Sequence, residues 1–140
     1  MSSLRSTLLA CVAGVAFTAL AMSFNGSIAA EPQAEGVYEL RTYTAAPGKM
    51  AALEARFRDH TIKLFEKHGM KNEMYWVPTD EKLRENTLIY IVSHASEEAA
   101  QKSWAAFQAD PEWQQARDAS EADGKIVAKV EKVFMKRTDY

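Results

Sequence analysis

The segment from Val37 to Lys49 constrains the fold most, because it joins a strand pattern directly to the start of a helix. Residues 37–44 have the sequence VYELRTYT, in which alternate side chains lie on opposite faces of an extended strand. Pro47 follows almost at once, and proline suits the first turn of a helix, where its missing N–H costs no hydrogen bond. The segment therefore predicts a strand followed by a helix at the start of the folded domain.

A stripe of mostly apolar side chains after Pro47 predicts a helix that ends near His68. The members recur every three or four residues: Met50, Leu53, Phe57, Thr61, Leu64 and Phe65. Gly69 follows, and glycine commonly ends a helix because it adopts the left-handed conformation without strain. We therefore expect one long helix that packs this stripe against the sheet.

The rest of the chain predicts three more strands and two more helices. They are, in order, strands over 73–77 and 87–92, a helix over 97–109, a short helix that begins at Asp110-Pro111, and a strand over 125–136. The segment 87–92 has no polar face, so both of its faces should be buried. Ser96 has the side chain of a helix cap, and it directly precedes two glutamates that favour the positive end of a helix.

The order β-α-β-β-α-β, with a short helical insertion before the last strand, predicts an α+β fold of the ferredoxin-like type. In this fold two helices cover one face of a four-stranded antiparallel sheet, and the other face is bare in a single copy. The apolar segment 87–92 makes that bare face costly to expose to water. We therefore expect a second copy of the chain to cover it, in a homodimer.

The first 30 residues have the order of a secretory signal peptide, with a basic start, an apolar middle over 8–22 and small residues at the end. The apolar run is shorter than the roughly 18–20 residues that a membrane-spanning helix needs. We therefore expect cleavage after Ala29 or Ala30 and export to the periplasm or beyond; an uncleaved anchor is the alternative. The predicted domains are a signal peptide over 1–30, a linker over 31–36 and a folded domain over 37–140.

The composition argues against several kinds of site. The only cysteine, Cys11, lies in the leader, so the mature chain has no disulfide and no thiol nucleophile. The formal net charge is −2 and no stripe of basic residues is present, so nucleic acid is not an expected partner. His60, His68 and His94 lack the spacing of a metal site, and no phosphate loop or dinucleotide motif occurs. We therefore predict no metal and no cofactor; a bound organic cofactor is the alternative.

Several short motifs together resemble the NIPSNAP family, within the wider group of dimeric α/β-barrel proteins. They span nearly everything after the leader: YELRTY at 38–43, PGK at 47–49, FEKHG at 65–69, YW at 75–76, WAAF at 104–107 and DPEW at 110–113. The resemblance implies a homodimer whose two sheets meet face to face. It implies no particular reaction, because the haem-degrading and quinone-forming monooxygenases of the wider group offer only an analogy of fold.

The first strand carries the best candidate site residues, Glu39, Arg41 and Tyr43. Tyr38 and Leu40 form the more apolar row, so we expect that row to face the helices and the other three side chains to point into the barrel. A charged pair there is costly unless it is paired or bound to a ligand. Arg41 would hold an anionic or carbonyl-bearing ligand, while Glu39 orients it or moves a proton. The alternative is an internal ion pair that fixes the register of the two subunits.

Aromatic residues give a second set of candidates for the same pocket. Trp76 and Tyr90 are predicted to bind ligand, because they lie on strands with two buried faces. Trp104 and Phe107 are instead expected to pack between helix and sheet. The alternative for all of these rings is a place in the core or at the dimer interface.

Two functions remain compatible with these predictions. The first is an exported domain that binds a small organic molecule in the barrel and, if it is an enzyme, transforms it without a metal. The second is a non-enzymatic homodimeric interaction or scaffold module whose barrel is only a core. A pocket that is polar at one end and aromatic at the other would favour the first function, and a barrel filled by side chains would favour the second.

Overall fold

Four antiparallel strands form one sheet in the computed structural model, which describes residues 36–140. Their bounds are Val37–Ala45 for β1, Lys71–Trp76 for β2, Thr87–His94 for β3 and Val127–Met135 for β4. The strands lie in the order β2-β3-β1-β4. The predicted signal peptide and nearly all of the predicted linker fall outside the described residues. From residue 36 onward, no helix is long and apolar enough to cross a membrane.

The helical segments follow the predicted order. They are α1 (Met50–Arg56), a π-helical segment (Phe57–Thr61), α2 (Ile62–Lys67), α3 (Glu81–Arg84), α4 (Glu97–Ala109) and α5 (Pro111–Ser120). The first three follow one another without a break, so the predicted long helix forms, with one π turn inside it. Together with the strand order, this arrangement confirms the ferredoxin-like α+β fold.

The predicted stripe of the long helix is the side that is buried. All six of its members are at most 8% exposed: Met50, Leu53, Phe57, Thr61, Leu64 and Phe65. The helix ends as predicted at Gly69, whose φ of 75° lies in the left-handed region. The N–H of Gly69 bonds to the carbonyl of Glu66 at 3.0 Å, and that of Met70 bonds to the carbonyl of Phe65 at 2.9 Å.

Both predicted caps of the second half are present. The Oγ of Ser96 accepts a hydrogen bond from the N–H of Ala99 at 3.1 Å, and α4 has the predicted bounds. The Oδ1 of Asp110 accepts a hydrogen bond from the N–H of Glu112 at 2.8 Å at the start of α5. The connection between β2 and β3 contains the single helical turn α3.

The helices cover the face of the sheet that carries Glu39, Arg41 and Tyr43. The register pairs Glu39 with Val92 and Arg41 with Tyr90, and residues paired in this way share a face. Both of these β3 residues are completely buried beneath the helices. The prediction that the three side chains point away from the helices is therefore wrong. It assumed that the more apolar row faces the helices, but partners from α4 and β3 satisfy the buried charge of Glu39.

The opposite surface of the sheet, called the open face below, has no cover among residues 36–140. It carries Tyr38, Leu40, Thr42, Met74, Trp76, Ile89, Ile91, Val133 and Met135. Met74 is 55% exposed, Trp76 is 42% exposed and Val133 is 56% exposed. The single chain therefore buries only one face of β3, and burial of its other face depends on the predicted second copy.

A β-bulge at Ala128 changes the faces of β4. Thr44 pairs with Lys129 and Ala45 pairs with Val127, which leaves Ala128 as an extra residue. Val127 therefore turns toward the helices and packs against the core. Because the bulge interrupts the alternation along the strand, Val127 lies on the opposite face from Val133 and Met135.

Candidate functional site

A cleft of about 680 Å³ lies on the helix side of the sheet, between β4 and helices α4 and α5. A smaller hollow of about 180 Å³ adjoins it and reaches toward α1 and the π-helical segment. The two share the lining residues Tyr43, Phe107, Trp113, Val127 and Val130. The two therefore adjoin along these residues, and together they are called the helix-side cleft below.

The cleft exists because the helices do not cover β4. On β3, the side chains that face the helices are buried, as Leu88 and Val92 show. On β4, Val130 faces the same way and is still 41% exposed, and Lys132 beside Arg41 is also exposed. The edge of the sheet beneath α4 and α5 is therefore open to a ligand.

Glu39 lies in a buried polar network behind the wall of the cleft. Its Oε2 accepts a hydrogen bond from the Nε1–H of Trp104 at 2.6 Å and lies 3.1 Å from the Nε2 of His94. Its Oε1 accepts a hydrogen bond from the Nη1 of Arg41 at 3.2 Å. Burial alone would raise the pKa of Glu39, but the hydrogen bonds from His94 and Trp104 and the charge of Arg41 lower it below its usual value. Glu39 is therefore held as a carboxylate.

Arg41 presents its guanidinium to the cleft from a position that Glu39 fixes. Its Cζ lies 3.9 Å from the ring centre of Trp104 and 5.7 Å from that of Tyr43, and a cation over an aromatic face is attracted to it. The Arg41 side chain is 13% exposed, and its buried Nε has no hydrogen-bond partner among the described residues. A buried donor without a partner is costly, so this position carries a strain that a purely structural arginine would avoid, and the exposed part of the guanidinium is what a ligand in the cleft can contact.

Aromatic rings form the apolar wall of the cleft. The ring centre of Phe107 lies 4.4 Å from that of Trp113 and 5.7 Å from that of Trp104. Tyr43 contributes a third side of this wall from β1. The cleft is thus polar at Arg41 and aromatic along its length, which is the arrangement that the sequence analysis associates with ligand binding.

Arg56 is a second buried arginine, and it lines the smaller part of the cleft. Its Nη1 donates to the Oγ of Ser120 and to the Oε1 of Glu121, each at 3.2 Å. Its Cζ lies 5.1 Å from the ring centre of Trp113. The π-helical segment begins at the next residue, Phe57, and such π turns are frequent at functional sites.

Of the predicted site residues, the structure brings Arg41 and Tyr43 together at the cleft and places Glu39 behind Arg41. Tyr90 lies on the same face but is completely buried, and burial raises the pKa of its hydroxyl well above its usual range. Trp76 lies on the open face, where it pairs with Ile89. The prediction that Trp76 and Tyr90 share one pocket is therefore wrong, because their positions in the register place them on opposite sides of the sheet.

Glu39 itself does not reach the cleft. It is 0% exposed, and three side chains of this chain occupy its two carboxylate oxygens. Of the two roles considered for it, the geometry favours orienting Arg41 over moving a proton on a ligand. The predicted Glu39–Arg41 ion pair is present, but it lies on the helix side and not on the open face.

Part of the site was not predicted from the sequence. Trp104 packs against the core as expected, but its ring also lines the cleft and its N–H bonds to Glu39. A partly buried tryptophan needs a partner for its N–H, and that requirement is a usable signal. His94 lies four residues after Tyr90 and so on the same face, and Arg56 lies three residues after Leu53 on the buried stripe. Both periodicities were readable in the sequence.

No group of three metal-binding side chains comes together in the part of the chain that the structure describes. His68, expected at a helix end, lies there and places its Nε2 2.6 Å from the Oδ2 of Asp110. The chemistry that the cleft does offer is recognition by a guanidinium and by aromatic faces. Such a set suits a flat molecule with an anionic or carbonyl group.

The fold and the cleft together define a ferredoxin-like α+β domain with a ligand-sized space between its helices and the edge of its sheet. The sequence pattern of the NIPSNAP family matches residues 38–140. The chain therefore belongs to the NIPSNAP family, as its motifs predict. A comparison with proteins of curated function finds no match.

Solved structures share this fold at low sequence identity. A NIPSNAP family protein of unknown function from Agrobacterium tumefaciens is 22% identical, with a TM-score of 0.62 over 75% of this chain and 90% of that one. A monooxygenase of Streptomyces coelicolor in complex with nanaomycin D is 18% identical, with a TM-score of 0.53 over 75% and 89%. SnoaB, a cofactor-independent oxygenase from Streptomyces nogalater, is 15% identical, with a TM-score of 0.52 over 76% and 97%. At these identities the likeness is one of fold alone.

Proposed function

We propose that this NIPSNAP domain binds a small, flat organic molecule in the helix-side cleft, with Arg41 holding an anionic or carbonyl group of that molecule. One observation carries the proposal. Glu39 fixes the Arg41 guanidinium against Trp104, beside an aromatic cleft, while the Arg41 Nε keeps no partner among the described residues.

Two neighbours in fold support binding of small molecules by this architecture. The Streptomyces coelicolor monooxygenase is in complex with nanaomycin D, and SnoaB is a cofactor-independent oxygenase. Transformation of the bound molecule without a metal is the finer part of the proposal. Such a reaction would depend on the reactivity of the ligand itself. Glu39 cannot exchange a proton with the ligand, because its carboxylate is bonded to other side chains and is not exposed to the cleft.

The binding experiment compares the native protein with an arginine variant and a matched control. Native mass spectrometry of protein purified from its own host looks for a co-purifying molecule, and titration with 2-naphthoate supplies a defined flat acid. Arg41→Lys should weaken binding at least about tenfold, because lysine lacks the planar fork of donors. Arg58→Lys, on the exposed side of the long helix, should leave binding unchanged. Absence of both a co-purifying molecule and 2-naphthoate binding would contradict the proposal.

A second proposed function is homodimeric association through the open face. Large apolar side chains on that face remain exposed in the single chain, with Met74 at 55% and Val133 at 56%. An apolar patch of this kind is expected to be covered by protein. Light scattering on the purified protein should give the mass of two chains, and a stable monomer at micromolar concentration would contradict it.

We also propose that the domain is exported. The order of the first 30 residues supports a cleaved signal peptide and a periplasmic or secreted domain. The intact mass of the protein recovered outside the cytoplasm should correspond to a chain that begins at Ala30 or Glu31. A full-length product that is extracted only with membranes would favour the anchor instead.

A further inference from the structure

We infer that the helix-side cleft selects flat molecules with an acidic or carbonyl group at each of two ends, and that Arg56 is the second anchor. This inference rests on the proposed function, because it assigns the chemical class of the molecule that the cleft binds. Arg41 alone would suit any flat acid, whereas a second arginine at the far part of the same space requires a second acceptor.

Arg56 has the features of a binding residue more than those of a core residue. Its side chain is 4% exposed, yet it lines the smaller part of the cleft. Its buried Nε has no hydrogen-bond partner among the described residues. Its Nη1 is held by Ser120 and by Glu121, whose side chain is 23% exposed. A guanidinium carries several donors, so Arg56, which is positioned through Nη1, can offer another of its N–H groups to an acceptor where it lines the cleft.

The surroundings of Arg56 repeat those of Arg41. Each guanidinium donates to a glutamate at 3.2 Å, and each Nε lacks a partner among residues 36–140. Each guanidinium also lies over a tryptophan ring. The distance from Cζ to the ring centre is 3.9 Å for Arg41 and Trp104 and 5.1 Å for Arg56 and Trp113. Two such arrangements on one cleft provide two sites for planar acceptors.

The space between the two arginines is apolar. Tyr43, Phe107 and Val127 line both parts of the cleft and offer no charge to a ligand there. The rim carries three basic residues, of which Arg117 pairs with Asp118 and Lys129 pairs with Glu131. The third is Lys125, and the one acidic residue of the lining, Glu121, is paired with Arg56. A rigid aromatic dianion matches this distribution of apolar surface and positive charge.

The test uses three probes of one ring system: naphthalene-2,6-dicarboxylate, 2-naphthoate and 2-naphthamide. Calorimetric titration of the full mature protein gives the dissociation constant of each. The dicarboxylate should bind at least about tenfold more tightly than the monoacid, since a hydrogen bond to a charged partner commonly contributes that much. Terephthalate and biphenyl-4,4′-dicarboxylate then vary the distance between the two acids, and one of the three diacids should bind best.

Two variants assign the second acid to Arg56. Arg56→Lys should lower the affinity of the best diacid to that of 2-naphthoate and leave 2-naphthoate unchanged, with Arg58→Lys as the control. Glu121→Gln removes the competing carboxylate and should strengthen diacid binding more than monoacid binding. Circular dichroism shows whether Arg56→Lys folds. If it does not fold, Glu121→Gln alone tests whether Arg56 binds the second acid.

The outcomes separate this inference from the proposed function. If 2-naphthoate and 2-naphthamide bind but no diacid binds more tightly, the inference is overturned while the proposed function stands. An unchanged diacid affinity in both Arg56→Lys and Glu121→Gln overturns it as well. If no probe binds to the native protein, the proposed function and this inference fail together.

Discussion

The two faces of the sheet each depart from the ordinary division between an apolar interior and a polar surface, because the helix face holds a charged network within its apolar core and the open face exposes large apolar side chains. The helix face buries Glu39 completely, with Arg41 and His94 beside it. The open face leaves Trp76 42% exposed and Val133 56% exposed. Buried charges are costly without partners, and apolar patches are costly without cover. The face with the charges is therefore the one suited to recognise a small molecule, and the apolar face is the one suited to associate with protein.

The largest effect is expected for a substitution that breaks the polar network of the helix face. Glu39→Leu should lower the free energy of unfolding by about 3–5 kcal/mol, because it leaves the Arg41 guanidinium buried without its carboxylate. Adding Arg41→Met should recover part of that loss by removing the unpaired charge. Urea denaturation measures both variants. Glu112→Gln, which breaks an exposed ion pair with Lys67 in the helix layer, is the control and should change stability by less than about 1 kcal/mol.

The next effect concerns the open face. Ile91→Glu places a charge on the apolar surface and should weaken dimerisation at least about 100-fold, because the charge would be buried without a partner. Sedimentation at several concentrations gives the dissociation constant, and Ile91→Val should leave it nearly unchanged. If the two faces are independent, the monomeric variant still binds 2-naphthoate. Loss of that binding together with the dimer would mean that the cleft depends on the partner.

A smaller effect tests how α4 is attached to the sheet. Trp104→Phe removes the indole N–H that donates to Glu39 at 2.6 Å, while it keeps an aromatic ring. We expect a loss of about 2 kcal/mol of stability, the range for a hydrogen bond to a charged group, together with weaker ligand binding. Trp76→Phe on the open face removes no such bond and should leave binding intact. Equal losses of binding in the two variants would contradict the division between the faces.

The smallest effect concerns a second carboxylate of the helix layer, Asp110. Hydrogen bonds from Lys67 and His68, at 2.8 and 2.6 Å, hold its pKa well below its usual range. Because the folded-state pKa lies below the unfolded one, this stabilisation is complete above about pH 4 and is lost as the pH falls toward the folded value. Asp110→Asn keeps the cap of α5, but the variant should have a slightly lower melting temperature than the native protein at neutral pH. This difference in melting temperature should shrink below pH 4. A difference that is independent of pH would exclude the charge as its cause.

Local signals predicted most of the fold. The helix over 97–109 is correct at both ends because Ser96 begins it and Asp110 with Pro111 ends it, and each acts through neighbours in sequence. The long helix is correct for the same reason, since its stripe repeats at helical spacing and Gly69 closes it. Such features depend on a few adjacent residues, and a single sequence contains them in full.

The faces of the sheet depended on contacts that are distant in sequence. Glu39 can be buried only because Trp104 and His94, 65 and 55 residues away, meet it. These contacts cannot be predicted from β1 alone, so the more apolar row of β1 was assigned to the helix side. The structure places the other row there. The bulge at Ala128 is a second case, because alternation along one strand does not reveal where its partner skips a residue.

The side chains of the three tryptophans allow one direct test of where the ligand binds. Trp104 and Trp113 line the helix-side cleft, and Trp76 lies on the open face. Each indole N–H gives one signal in a ¹H–¹⁵N spectrum, and single Trp→Phe variants assign them. Addition of 2-naphthoate should shift the signals of Trp104 and Trp113 and leave that of Trp76 in place. A shift confined to Trp76 would place the ligand outside the helix-side cleft and contradict the assignment of the site.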